Sequence, residues 1–347
     1  MLSRQANNLF WMSRQIERAE NTARLLDITY RMSLLPYRVS DETESPATVP
    51  SDPWALPLII NGLASAYYER NPGPMTAAKV LQFMVYDSAN PASIFSLMRD
   101  ARENGRSMRG LLTTEMYEDL NAMWLDLRDR SKTPLANGHI NDFFEWIKTQ
   151  SHQFRGVTVG TMLRDEAYQF IRLGTFMERA DNTVRLLDVK YHTLLPSADD
   201  VGGAVDYYQW SALLRSVSAL SAYRRIYRDV ITPKRVAELL LLHDDMPRSV
   251  HACMNEIYEI LRDLCKKESM EPERLAGELH AQLHYGRVDQ IMAEGLHEYL
   301  MEFLSNLHRL DTELNQYFLV PGLTVEPIAA KKSDSTQKQG QTQKQTA

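Results

Sequence analysis

A fifteen-residue segment that occurs twice, 161 positions apart, constrains the fold of this chain more than any other feature. Residues 16–30 read IERAENTARLLDITY and residues 177–191 read MERADNTVRLLDVKY, so ten of the fifteen positions are identical. Two further pairs, Glu20/Asp181 and Ile28/Val189, are close substitutes. Because the rest of the two halves agrees far less, we interpret the chain as a tandem duplication that has kept one polar helix face in both copies.

Scattered matches extend the duplication beyond this segment. They lie 156 positions apart and are Trp54/Trp210, Tyr67/Tyr223, Thr76/Thr232, Pro91/Pro247 and Ser93/Ser249. The sequence therefore predicts two halves, residues 1–160 and 161–320, that form one compact body. Residues 321–347 are dominated by Gln, Lys, Ser and Thr. Such a segment buries too little apolar surface to order itself, so we predict a disordered tail.

The fold class is predicted to be all-α, because helix formers dominate and the alternation typical of strands is scarce. Two long helices are expected over about residues 3–33 and 162–192. Shorter helices are predicted at 54–70, after 76, after 91, at 114–130 and at 140–153, with two more within 272–318. We expect a multi-helix bundle with pseudo-two-fold symmetry, in which the two long helices pack near the axis.

Composition narrows the functional classes. Hydrophobic residues make up 44% of the chain and charged residues 24%, which is typical of soluble globular proteins. No apolar run approaches the ~20 residues that cross a membrane, and no signal peptide is recognisable, so we expect a cytoplasmic protein. The net charge of −6 argues against binding to nucleic acid or anionic membranes. No phosphate-binding or dinucleotide-binding motif is present, and no cofactor is predicted.

The repeated segment supplies the candidate binding residues. At about 100° per residue, its polar identities share one face of a helix. Their retention in both copies indicates specific partners, either in a buried structural network or in a ligand site, and the sequence leaves both open. The candidate substrate-binding side chains are Asn21, Arg24, Asp27, Asn182, Arg185 and Asp188.

The same segment resembles the Alpha-E family, bacterial helical proteins named for a Glu-Arg motif on a helix. The motif corresponds here to Glu17-Arg18 and Glu178-Arg179, and ARENGR at 101–106, TMLRDE at 161–166 and GLHEYL at 295–300 extend the resemblance. The usual gene neighbours of the family are ATP-grasp amide ligases and transglutaminase-like proteins. The resemblance therefore implies a role in making or modifying peptide-like amides with these partners. The motif residues become candidate catalytic groups, in which Arg holds carboxylates and Glu holds amines or acts as a base.

Two other patterns have weaker functional interpretations. Arg99, Arg102 and Arg106 form a helical stripe that suits either an anion or a salt network with Glu103. Glu294 and His297 have the E-x-x-H spacing of di-metal bundles, and His280 and His284 lie four residues apart. Because a second E-x-x-H is missing, no metal ligands are predicted. A carboxylate/His metal bundle and a purely structural scaffold for protein–protein interaction stay open as alternatives.

Overall fold

The structure is a computed structural model that describes residues 1–34, 53–133, 135, 139–193, 204–265 and 270–319. Within these ranges the chain forms fifteen α-helices, two short π-helical segments and no strand. The all-α prediction is confirmed. The predicted disordered tail, residues 321–347, lies outside the described residues.

Each half begins with a long helix and continues with shorter helices. The first half comprises α1 (Ser3–Ser33), α2 (Ala55–Ile60), α3 (Ala64–Arg70), α4 (Ala77–Leu81), a π-helical segment (Gln82–Tyr86), α5 (Ile94–Ser107), α6 (Thr114–Arg130) and α7 (Ile140–Thr161). The second half comprises α8 (Glu166–Thr193), α9 (Ala204–Ser216), α10 (Leu220–Tyr227), α11 (Pro233–Leu241), α12 (Val250–Leu264), α13 (Glu271–His284), α14 (Val288–Glu294), α15 (Leu296–Leu314) and a π-helical segment (Asn315–Leu319).

Four pairs of equivalent helices begin at the same separation along the chain. The starts of α3 and α10, α4 and α11, α5 and α12, and α7 and α15 each lie 156 residues apart. The caps repeat as well, because Ser93 Oγ accepts the N–H of Ser96, the third residue of α5, and Ser249 Oγ accepts that of Ala252, the third residue of α12. The chain is therefore duplicated at the level of its elements, while the pseudo-two-fold axis stays a prediction.

Several helix boundaries differ from those predicted. The expected helix at 54–70 is split into α2 and α3 by Gly62, which has a φ of +66°, and Ser218 splits α9 from α10 at the equivalent position with a φ of +56°. Gly295, with a φ of +107°, separates α14 from α15, so the stretch 272–318 holds three α-helices where two were predicted. The second long helix starts at residue 166 rather than 162, because the Asp165 carboxylate accepts the Tyr168 N–H at 3.2 Å and caps it.

The two long helices pack against each other at the centre of the molecule. Helices α5 and α7 pack on α1, and α12 and α15 pack on α8. One hydrophobic core runs through both halves and includes Trp54, Tyr67, Trp210 and Tyr223. Twenty of the 31 residues of α1 are buried, including those of its polar face. A solvated polar face is thereby excluded. None of the described helices is both long and apolar enough to cross a membrane.

Candidate functional site

The two Glu-Arg motifs pair with each other across the interface between α1 and α8. Arg179 donates from Nε and Nη2 to the two carboxylate oxygens of Glu17, at 2.9 and 3.0 Å. Arg18 donates from Nε and Nη2 to those of Glu178, at 2.6 and 2.7 Å. Both pairs have the bidentate geometry that makes Arg–carboxylate contacts strong. Each copy of the motif thus supplies the partner that the other copy needs.

Glu17 binds two further guanidinium groups. Arg155 of α7 donates to it at 2.8 Å, and Arg248, which precedes α12, donates at 3.0 Å. The neighbouring Glu20 accepts hydrogen bonds from Arg24, Arg155 and Arg248. These residues form the first cluster, which consists of Glu17, Glu20, Arg24, Arg155, Arg179 and Arg248.

The first cluster is a largely buried salt network. Its two carboxylates are buried, with 1% of Glu17 and none of Glu20 exposed. Burial raises the pKa of Glu17, but Arg179 and Arg248, joined by Arg155, outweigh it and lower the pKa to about 2. Burial raises the pKa of Glu20 too, yet its hydrogen-bonding and cationic neighbours bring it well below its usual range. Both groups are therefore ionised at neutral pH.

A second salt network surrounds Glu178 and Asp181, the counterparts of Glu17 and Glu20, and it has a different number of positive and negative groups. Glu178 also accepts from Arg14 at 2.9 Å, and Arg14 continues to Asp311 of α15 at 2.6 Å. Arg185 binds both carboxylate oxygens of Asp181, at 2.7 and 3.1 Å. We define the second cluster as Arg14, Arg18, Glu178, Asp181, Arg185 and Asp311. It contains three guanidinium groups and three carboxylates, whereas the first contains four and two.

A histidine adjoins each cluster at equivalent positions. His152 Nε2 lies 3.2 Å from Arg24 Nη2 and 3.4 Å from Glu20 Oε1. His308 Nε2 lies 3.2 Å from an Nη2 of Arg185 and 3.1 Å from Asp181 Oδ1. Both rings are about half exposed. The sequence analysis missed them, although they lie 156 positions apart and the register of the duplication pairs them.

A cavity of about 210 Å³ opens at the second cluster, and we call it the polar cavity. Its walls include Arg18, Asn21, Glu178, Asn182 and Arg185, which are five of the ten side chains that the sequence singled out on the repeated helices. Asn21 accepts a hydrogen bond from Arg248 through Oδ1, and its Nδ2 is buried without a hydrogen-bond partner.

A second cavity of about 150 Å³ lies beside the first cluster. Glu17, Arg155 and Arg179 reach it, but aromatic and aliphatic side chains such as Phe154 and Phe176 form most of its wall. The two cavities therefore differ in chemistry, and only the polar cavity combines carboxamides with charges of both signs.

The remaining repeated acids contact the outer helices. Asp27 accepts from Arg31 at 2.8 Å and from Lys148 of α7 at 3.3 Å. Asp188 lies 2.5 Å from Nδ1 of His297, on α15. Arg24, besides binding Glu20, donates to Ser218 Oγ at 2.9 Å. These contacts tie the ends of the long helices to their neighbours and lie outside the polar cavity.

The arginine stripe of α5 is engaged in local ion pairs. Arg102 and Arg106 both bind Glu103, and Arg99 binds Asp100. The salt network that the sequence offered as the alternative to an anion site is present. Neither cavity includes these residues.

Potential metal ligands converge at a place that the E-x-x-H spacing did not indicate. His251 of α12 joins His280 and His284 of α13, with one ring nitrogen of each within 4.8 Å of the others. His297 instead contacts Asp188. The i,i+4 spacing of His280 and His284 was visible in the sequence, but nothing in it pointed to His251.

Comparison with known proteins places the chain among helical relatives. A family model described as a predicted alpha-helical domain with a conserved ER motif matches residues 1–319. Uncharacterized proteins of Mycobacterium bovis and of Mycobacterium tuberculosis strains CDC 1551 and H37Rv are 25% identical over 316 residues. The alignment covers 87% of this chain but 35% of theirs, so the chain spans about a third of the length of these relatives. No solved structure matches significantly. The matched range contains both reciprocal Glu-Arg pairs, and the chain belongs to the Alpha-E family.

Proposed function

We propose that this protein is a component of a cytoplasmic peptide or amide ligation or modification system that acts with an ATP-grasp ligase and a transglutaminase-like protein. It binds a peptide-like substrate between the repeated Glu-Arg helices and leaves ATP to the ligase. The observation that supports this proposal best is the polar cavity, which the two copies of the repeated helix build together. The resemblance to proteins whose genes neighbour amide ligases supports the choice of partners.

The walls of the polar cavity suit a peptide group. Asn21, Asn61 and Asn182 contribute carboxamides, whose N–H and C=O groups match those of an amide. Asn182 is half-buried, and its side chain makes no hydrogen bond among the described residues, so its carboxamide is available to a substrate amide.

The two clusters divide the work between stability and binding. A Glu17 carboxyl with a pKa of about 2 is a weak base at neutral pH, so we assign Glu17 and Arg179 to bracing the two halves. The second cluster meets the cavity, where Arg18 and Arg185 are each about a third exposed and can hold a carboxylate or carbonyl. Glu178 lines the same wall and can hold an amine.

Asn182→Leu tests this assignment. Asn182 is half-buried and has no hydrogen-bond partner among the described residues, so Leu fills the cavity without breaking a bond. The variant is co-expressed with the ATP-grasp and transglutaminase-like proteins, and the amide product is measured by mass spectrometry beside the melting temperature. We expect at least tenfold less product at an unchanged melting temperature. Asn255→Leu, at another half-buried asparagine outside both cavities, is the matched control and should keep the product.

Normal product from Asn182→Leu at normal protein levels would end the proposal and favour a scaffold. The buried first cluster is the specific observation that supports this second candidate, because its Glu17–Arg179 pair joins α1 to α8 inside the protein. A scaffold would retain the ligase in a pull-down and lose activity only through unfolding.

A further inference from the structure

We infer that the polar cavity binds a cationic nitrogen group, either a guanidinium or an ammonium. The group would lie beside Ala92, at the place equivalent to that of the Arg248 side chain in the first cluster. This inference deepens the proposed function, on which it rests for the origin of the ligand. It follows from a comparison of the two halves at one position.

Ala92 is the structural counterpart of Arg248. The two residues lie 156 positions apart, each directly before the serine that caps a helix, Ser93 or Ser249. Both serine hydroxyls donate to the carbonyl six residues earlier, and both serine N–H groups donate to the carbonyl three residues earlier. The backbone φ/ψ of the caps, −69°/149° and −69°/154°, agrees as well. The same turn therefore presents an arginine in one half and a methyl group in the other.

Arg248 satisfies three acceptors of the first half. Its Nη1 donates to Glu17 Oε1 at 3.0 Å and to Asn21 Oδ1 at 3.1 Å, and its Nη2 donates to Glu20. The counterparts of these acceptors, 161 positions later, are Glu178, Asn182 and Asp181. All three line the polar cavity, and so does Ala92. In the first half these acceptors surround the Arg248 guanidinium. In the second half the corresponding side chains line a cavity.

Charge favours a cation in this place. The first cluster keeps four guanidinium groups around two carboxylates, so this kind of network tolerates a positive excess. The second cluster holds three of each and would become only singly positive with a bound cation. Glu17 binds three guanidinium groups, whereas Glu178 binds two. The third place at Glu178 is the one that Ala92 leaves open.

The cavity also offers donors for an atom next to the cation. Arg18 and Arg185 line the same cavity, are each about a third exposed and can donate to an acceptor. A ligand with a carbonyl close to its cationic nitrogen satisfies both features. The N-terminus of a peptide and the side chain of an arginine-containing peptide are two sources of this chemistry.

Titration of the purified chain with methylguanidinium chloride and methylammonium chloride, at low ionic strength and with NMR detection, tests the inference. We expect at least one of these cations to bind to the natural chain. Ala92→Arg should weaken that binding at least tenfold and raise the melting temperature, because the new side chain occupies the cavity. Ala78→Arg, which adds the same charge at an exposed position of α4 outside the cavity, is the matched control and should bind like the natural chain. Glycinamide and N-acetylargininamide then separate an N-terminal amine from an arginine side chain.

Equal binding of both cations to the natural chain and to Ala92→Arg would overturn the inference, as would binding of sodium acetate in their place. If Ala92→Arg does not fold, Asn182→Asp replaces it, because the added carboxylate should tighten cation binding severalfold. A failure to tighten would also count against a cation site. These results are independent of the product assay: cation binding with normal product from Asn182→Leu removes the proposed function alone.

A separate observation leads us to propose a zinc site at His251, His280 and His284. His251 Nδ1 lies 2.9 Å from the Leu242 carbonyl oxygen, which can only accept, so Nδ1 carries the proton. The Nε2 of this buried ring has no partner and therefore offers a lone pair near the other two imidazoles. A ligating His that donates its other N–H to a carbonyl is the usual arrangement at zinc.

The surroundings of the three rings fit a divalent metal bound by imidazole. The His280 ring stacks on Tyr258 at 5.2 Å, which fixes its plane. His284 is exposed and leaves the site open to solvent. Three imidazoles with one open side match the ligand set of an accessible zinc ion.

Calorimetric titration of the full chain with ZnCl₂ tests this site. We expect one equivalent to bind, with at least tenfold weaker binding by His284→Gln, whose exposed side chain is not needed for folding. Asp244→Asn alters the other group of potential ligands, His243, Asp244 and Asp245, and should bind zinc like the natural chain. Equal affinity of the natural chain and His284→Gln, or a loss confined to Asp244→Asn, would overturn the proposal.

Discussion

At the scale of single residues, the Glu17 carboxylate shows how a buried charge is accommodated in this molecule. Removing a carboxylate from water costs several kcal/mol, which only well-placed partners offset. Glu17 has three guanidinium partners, and two of them, Arg179 and Arg248, are themselves buried. The side chain is thus held by both halves of the chain.

Glu17→Gln is expected to lower the free energy of unfolding by about 3–5 kcal/mol, because it leaves buried guanidinium groups without their counter-charge. Urea denaturation at pH 7 measures the loss. Glu103→Gln is the control, since Glu103 forms ion pairs at the surface and its loss should cost at most about 1 kcal/mol. Similar losses in the two variants would show that burial of Glu17 adds nothing.

The residues of the site were only partly predictable from the sequence. Identical polar residues in both copies indicated specific partners, and Glu17, Arg18, Glu178 and Arg179 do meet. Arg155 and Arg248 could not be foreseen, because they lie 138 and 231 positions from Glu17 and belong to no shared motif. Their contacts depend on tertiary packing, which no local spacing encodes.

At the scale of elements, the close approach of α1 and α8 depends on a small residue at their crossing. A Cβ atom at Gly174 would lie 2.2 Å from the Phe10 carbonyl oxygen and 2.4 Å from Ser13 Oγ. Ser13 is the counterpart of Gly174 in the repeat, 161 positions earlier. Gly174 and Ser13 thus lie against each other at a contact between the two long helices. Because both side chains are small, the helices can approach closely enough for the Glu-Arg motifs to bind each other.

Gly174→Ala should destabilise the protein by about 1–3 kcal/mol, because the added methyl group forces the helices apart. Gly156→Ala, on the exposed side of α7 where a Cβ meets no atom within 4 Å, should instead stabilise it by up to about 1 kcal/mol through helix propensity. Thermal unfolding of both variants gives the comparison. A neutral Gly174→Ala would mean that the helices do not touch at this point.

Element boundaries were predictable where a local signal exists. Ser93 and Ser249 cap helices in the way their side chains favour, whereas Ser218 adopts a left-handed φ that L-residues rarely take. Ser218 interrupts the helix at the position equivalent to Gly62 in the first half. Arg24 donates a hydrogen bond to the Ser218 hydroxyl at 2.9 Å. The register of the duplication, rather than residue type, was the signal for this break.

At the scale of the whole molecule, the halves share their elements but not their charges. Arg155 and its counterpart Asp311 carry opposite charges. Arg248 carries a positive charge, whereas its counterpart Ala92 has only a methyl group. The all-α class and the duplication follow from the sequence, because periodicity and the repeated segment are local properties. The difference in charge between the halves becomes visible only when residues of α7, α12 and α15 are compared with their counterparts 156 positions away.

The free energy of unfolding is expected to fall as the pH drops from about 5 towards 2. The pKa values of Glu17, Glu20 and Asp181 are lower in the folded protein than in the unfolded chain. The unfolded state therefore binds more protons over this range, and the stabilisation that is complete above pH 5 is lost on acidification. For Glu17, a pKa of about 2 against an ordinary 4.5 corresponds to a loss on the order of 3 kcal/mol. Urea denaturation at pH 7, 5 and 3 measures the trend, and equal stability at pH 5 and 3 would contradict it.

The reciprocal pairing of the two Glu-Arg motifs is the central contact between α1 and α8. A double-mutant cycle on Glu17→Gln and Arg179→Met, measured by urea denaturation at pH 7, isolates the contact between the halves. We predict a coupling free energy of about 2 kcal/mol or more, because both partners are buried and their contact is bidentate. Additive losses, within about 0.5 kcal/mol, would show that the repeated motif does not join the two halves.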